Sequence, residues 1–136
     1  MSRVQLALRV ADLEGSIAFY RSLFGVEPAK LRPGYANFAI AEPPLKLVLI
    51  AGAPDRPNVM DHLGVEVETP EEVGSAARRL ADRGLSTRVE NGTTCCYAVQ
   101  DKVWVRGPGD EPWEVYTVTA DTDDRDGACC APVAGG

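Results

Sequence analysis

A strand–helix–strand–strand–strand order occurs twice in this chain, and no other feature of the sequence restricts its fold as strongly. In the first copy, Leu6, Leu8 and Val10 alternate with Gln5, Ala7 and Arg9, the period of a half-buried strand. Asp12 is placed to N-cap a helix from Leu13 to Phe24, with Ile17, Tyr20, Leu23 and Phe24 on its apolar side and Gly25 as its stop. Strand-like runs follow at residues 35–40 and 45–50, then the breaker-rich stretch Gly52-Ala53-Pro54-Asp55-Arg56-Pro57. The second copy opens on the alternating segment His62-Leu63-Gly64-Val65-Glu66-Val67-Glu68. Thr69 then N-caps a helix with Pro70 at its first position, a stripe of Val73, Ala77, Leu80 and Ala81, and Gly84 at its end. Strands are expected again at residues 86–90, 102–105 and 112–118, whereas Glu90 to Gln100, rich in Gly, Thr and Cys, is read as a loop able to close over a site.

These patterns predict an α+β protein in which two βαβββ modules form an open, curved, barrel-like sheet with the helices outside. The first module is residues 1–53, a linker is 54–60, the second module is 61–120, and 121–136 is a flexible acidic tail. The 136 residues suffice for a normal core. A net charge of −6 argues against a nucleic-acid groove, which needs a basic footprint. No apolar run approaches the ~20 residues of a membrane span, and the chain starts directly in a strand-like pattern, so a cytoplasmic location is expected.

Four cysteines form two adjacent pairs, Cys95-Cys96 and Cys129-Cys130. Neighbouring Cα atoms lie ~3.8 Å apart, below the usual disulfide range, so a relaxed bond inside either pair is disfavoured. CxxC spacing is absent, which removes the zinc-ribbon and thioredoxin readings. Vicinal dithiols remain, and these are grips for a soft ion or metalloid. The second pair sits on the tail, beside the segment Asp121-Thr122-Asp123-Asp124-Arg125-Asp126.

Superposing the two copies pairs Gln5 with His62, each near the start of its first strand, and Lys46 with Glu114. If Leu6, Leu8 and Val10 in one copy and Leu63, Val65 and Val67 in the other pack under the helices, then Gln5, His62 and Glu114 share the opposite face. An imidazole, a carboxylate and an amide oxygen can hold a divalent first-row metal and leave positions open for substrate and dioxygen. His62 is the only imidazole in the chain.

The repeat with candidate ligands at these places resembles the vicinal oxygen chelate superfamily of glyoxalases, fosfomycin-modifying enzymes and extradiol dioxygenases. The runs RPGYANFAIAEPPLKLVL, HLGVEVE, GTTCCYA, QDKVWV and PWEVYTV resemble its arsenic- and cadmium-inducible branch. That resemblance implies an Fe(II)-dependent C–As lyase, with dioxygen as co-substrate and other divalent metals able to occupy the site in vitro. It implies a metal triad of Gln5, His62 and Glu114 and a substrate dithiol of Cys95 and Cys96. Tyr97 and Lys102 are candidates for orienting substrate oxygens. A relative with four protein ligands would carry a carboxylate where this chain has Lys46, which argues for an open three-ligand site.

The implied partner is a small trivalent organoarsenical, demethylated or dearylated to arsenite, with the protein a monomer or homodimer. Two other classes stay open: a cadmium- or arsenic-sequestering protein that needs no triad, and a thiol-dependent glyoxalase-type enzyme that needs no oxygen.

Overall fold

The computed structural model describes residues 2–123, so Cys129 and Cys130 lie outside the described residues. The chain divides into two compact units between Asp61 and His62. The first contains β1 (Arg3–Val10), α1 (Leu13–Phe24), β2 (Lys30–Arg32), β3 (Tyr35–Ile40) and β4 (Leu45–Ala51). The second contains α2 (Pro70–Asp82), β6 (Thr87–Cys95), β7 (Ala98–Arg106) and β8 (Pro112–Asp121). The strand before α2, β5 (Val59–Glu66), begins inside the stretch expected as linker.

The strand order is β2-β3-β4-β1 in one unit and β6-β7-β8-β5 in the other. In both, the first strand pairs parallel with the last, and the last pairs antiparallel with the one before it. The two βαβββ modules therefore repeat in topology as well as in sequence, and the chain is α+β. Among the described residues no helix is long and apolar enough to cross a membrane.

Local signals explain the helices. Asp12 accepts a 2.9 Å hydrogen bond from the Gly15 amide, and Gly25, at φ 68°, closes α1 in the left-handed conformation. Leu13, Ile17, Tyr20 and Phe24 pack on a core of Val10, Ala36, Phe38, Ile40, Leu47 and Leu49, with Leu6 and Leu8 alongside. Leu23, expected on that face, is instead exposed. α2 opens on a capping box in which Thr69 and Glu72 satisfy each other's backbone amides, followed by Pro70. Its Val73 and Ala76 are buried against Val103, with Val67, Ala77, Leu80 and Val115 around them.

The segment expected as a loop from Glu90 to Gln100 is a β-hairpin. β6 and β7 pair from Thr87↔Val105 to Cys95↔Ala98, and Cys96 and Tyr97 make the turn between them. β-Branched Thr93 and Thr94 favour the strand, and Gly92, at φ 61°, sits where the register shifts between Glu90 and Thr93. The expected tail is also shorter at its start, because β8 runs to Asp121 and the Thr122 amide donates to the Tyr97 carbonyl at 3.0 Å.

Thr69→Ala removes the side-chain half of the capping box. It should cost about 1 kcal/mol and lower the thermal midpoint by roughly 3–5 °C for a chain of this size, read by far-UV circular dichroism. An unchanged midpoint would show that the box contributes nothing to stability.

Candidate metal and thiol site

Strand alternation builds the site in the second unit. Val103 and Val115 face α2, so Lys102 and Trp104 on β7, and Glu114 and Tyr116 on β8, face the other way. The β5–β8 pairing puts Gly64 opposite Glu114 and Glu66 opposite Tyr116, and His62 lies on the same face of β5.

Glu114 is the centre of this face. Its Oε2 is 3.0 Å from His62 Nε2 and its Oε1 is 2.8 Å from Lys102 Nζ, and all three side chains are buried. Lys102, 1% exposed, lies 5.3 Å from the Trp104 ring centre and 5.9 Å from that of Tyr116. Trp104 meets His62 edge-on at 5.5 Å, and the Tyr116 hydroxyl donates to Glu66 at 3.3 Å. Burial pushes the Glu114 carboxyl up, but the Lys102 charge and the His62 hydrogen bond outweigh it and lower it from 4.5 to about 2. Glu114 is thus an ionised carboxylate held ready in a dry place.

The pair fits a divalent metal. Two ligands at ~2.1 Å from one ion and at right angles stand about 3.0 Å apart, the separation seen between His62 Nε2 and Glu114 Oε2. Lys102 takes one carboxylate oxygen and His62 the other, so an ion bound here would replace the His62–Glu114 hydrogen bond and leave the Lys102 contact in place. Among the described residues no three His, Cys, Asp or Glu side chains gather as a metal cluster, and the third expected ligand is an amide.

Gln5 belongs to the first unit, where it is buried on β1 opposite Lys46. Its face is the one away from α1, since Leu6, Leu8 and Val10 pack with that helix. Strand pairing refines the superposition of the two copies. Matching Lys46 to Glu114 through their ladders matches Gln5 to Gly64, two residues beyond His62. An offset of two leaves the face unchanged.

Cys96 and Tyr97 form a two-residue turn with φ 50° and 66°, the type I′ geometry that Asn-Gly usually supplies. Holding two non-glycine residues there costs on the order of 1–3 kcal/mol each, the kind of strain found at working sites. The Cys95 and Cys96 sulfurs are 3.9 Å apart, too far to be bonded to each other. Cys95 is a buried thiol, and Cys96 stands in a disulfide that does not involve Cys95. Tyr97 is buried.

Trp104, opposite Glu114, lies six positions along β7 from Ala98, opposite Cys95. That run is about 20 Å when extended, so the described conformation keeps the thiols and the carboxylate at opposite ends of one strand. Between them lies Gln100, which sequence reasoning missed. It is 5% exposed and donates from Nε2 to the Cys95 carbonyl at 2.9 Å. Counting by twos from Lys102 would have found both it and Trp104.

The profile of the Glyoxalase/Bleomycin resistance protein/Dioxygenase superfamily matches residues 3–127. The chain belongs to that superfamily. One superfamily relative, the trivalent organoarsenical cleaving enzyme of Thermomonospora curvata, is 68% identical over 97% of this chain and 90% of its own. The cadmium-induced protein CadI of Mycobacterium tuberculosis is 61% identical over 90% of this chain and 80% of its own. The Mn(II)-bound glyoxalase from Novosphingobium aromaticivorans shares the superfamily fold, with a TM-score of 0.63 and 20% identity over 93% of this chain but 43% of that one.

A carboxyl lowered on folding contributes stability that is complete above its unfolded value and is lost as pH falls through its folded value. For Glu114 that window runs from 4.5 down to about 2. The stability difference between the metal-free protein and Glu114→Gln, measured by urea unfolding, should be level above the window and shrink within it. A level difference throughout would show that folding does not favour the ionised form.

Proposed function

We propose that this protein is an Fe(II)- and dioxygen-dependent C–As lyase that strips the organic group from trivalent organoarsenicals such as methylarsonous acid and leaves arsenite. The observation that carries this reading is the Cys95–Cys96 turn. A trivalent arsenic with one carbon substituent has two exchangeable oxygens and so accepts two sulfurs. Sulfurs bound at ~2.3 Å to one soft centre lie at most about 4.6 Å apart, and these are 3.9 Å apart. The name of the 68%-identical relative, a trivalent organoarsenical cleaving enzyme, agrees with that chemistry.

In this reading His62 and Glu114 hold the metal. Fe(II) bound there supplies the redox chemistry that dioxygen needs to react with the substrate carbon. Lys102 orients the Glu114 carboxylate by taking one of its oxygens, and Trp104 walls the His62 ring. Each thiol displaces one arsenic hydroxyl, an As–S bond replacing an As–O bond while the thiol proton leaves in water. Cys96 must first leave its disulfide, so the captured state requires a reductant. The hairpin tip must then bring the arsenic toward the His62–Glu114 end of the face, with Tyr97 travelling beside it.

For the methyl substrate the overall change balances as one methylarsonous acid plus one dioxygen giving one formaldehyde plus one arsenous acid. Carbon is oxidised, oxygen is reduced, and arsenic stays trivalent. A second reading, sequestration of Cd(II) or As(III) without turnover, is favoured by the resemblance to CadI and by the same thiol pair.

The reduced, iron-loaded protein should release arsenite from methylarsonous acid in air and none under anaerobiosis, measured by chromatography with arsenic-specific detection. Cys95→Ser should cut turnover by more than about a hundredfold, since it removes one arm of the grip that holds substrate in place, while leaving iron bound. His62→Ala should lose iron yet still capture arsenic. Stoichiometric capture by the wild type with no arsenite released in air would replace the lyase with sequestration.

A further inference from the structure

Gln100 has a role that the metal and thiol groups leave unassigned. Its Nε2 donates to the Cys95 carbonyl, which fixes the amide orientation because a carbonyl can only accept. Its Oε1 therefore points elsewhere, and it is buried with no hydrogen-bond partner among the described residues. A buried amide oxygen left unpaired costs on the order of 1–3 kcal/mol, and such an atom at a strained turn calls for a donor that arrives later. Gln100 lies opposite Thr93 and two pairs along from Cys95↔Ala98, on the face that also carries Lys102 and Trp104.

We propose that Gln100 Oε1 is the docking acceptor for a hydroxyl of the incoming trivalent arsenical, holding the neutral As–OH group beside Cys95 while the first sulfur exchange takes place. This inference rests on the thiol-capture half of the function proposed above and is independent of iron and dioxygen. In the step itself the Cys95 sulfur forms the As–S bond, one As–O bond breaks, and the thiol proton leaves with that oxygen as water. No electrons are transferred. The hydroxyl that remains donates to Gln100 Oε1, which keeps the half-exchanged arsenical in place until Cys96 displaces that second oxygen. The same residue thus positions the turn through Nε2 and receives the ligand through Oε1. The chemical class it selects is an arsenic(III) centre that still carries a hydroxyl, rather than one already capped by two small thiols.

The test uses the full chain, reduced and desalted, without iron. The rate of thiol loss is followed with methylarsonous acid and separately with methyl methanethiosulfonate, a thiol reagent that has no O–H or N–H to donate. Gln100→Leu and Gln100→Met both remove the acceptor, and Met preserves the length of the side chain. Capture of methylarsonous acid should slow by about tenfold in both, the equivalent of one hydrogen bond, with the methanethiosulfonate rate changed by less than about twofold. Equal slowing with both reagents would overturn the proposal, because it would place the whole effect in the shape of the turn. Unchanged capture in both variants would overturn it as well, while leaving the lyase reading intact. A wild type that fails to capture methylarsonous acid at Cys95 and Cys96 would remove the proposed function itself.

Discussion

A carboxylate buried beside a lysine is the constraint around which the second unit is arranged. Glu114 without Lys102 would be an uncompensated charge in a dry interior, and Lys102 without Glu114 would be the same with opposite sign. Breaking such a pair from one side is far more damaging than never having it. The pair exists only because β7 and β8 are in one register, which sets Lys102 opposite Tyr116 and Trp104 opposite Glu114. That register holds because Val103 and Val115 are pinned under α2. The helix, the valines and the ion pair are therefore one mechanical assembly, and His62 completes it from β5.

The hairpin is a second investment of a different kind. Its turn places Cys96 and Tyr97 in a conformation that most residues avoid, where Asn-Gly would be at ease. The strain is offset locally by the Cys95–Ala98 pair, the Gln100 bond to the Cys95 carbonyl and the Thr122 bond to Tyr97. Once Cys96 has left its disulfide, such a turn holds two thiol sulfurs near each other without joining them. This suits a ligand that binds both and disfavours a bond between them.

Much of this was legible in the sequence because it depends on short-range rules. Alternation assigned the faces of β1, β5 and β8, and the Asp12 and Thr69 caps located both helices. The hairpin was hidden because Gly, Thr and Cys in one segment look like a loop until a partner strand supplies the ladder. The burial of Lys102 was hidden for a related reason. A lysine is ordinarily solvated, and only the opposing strand reveals that a carboxylate awaits it. The two-residue difference between the sequence-based and ladder-based matches of the copies was also out of reach, since pairing register follows from contacts between strands distant in sequence. Gln100 was missed because an amide carries no signal of its own until its neighbours are known.

The alternation along β7 separates two kinds of genetic change. Residues 103 and 105 serve the helix-covered side, and residues 100, 102 and 104 serve the polar side. Substitutions at residues 100 and 104 can retune ligand preference while the Lys102–Glu114 pair and the valines under α2 are kept. Deleting a single residue between Gln100 and Trp104 does something else. It inverts the strand beyond the gap, turning Trp104 toward α2 and Val103 toward Glu114. Lineages descended from this chain can therefore vary β7 by point replacement at positions other than Lys102 and Val103, while its length is frozen to the residue.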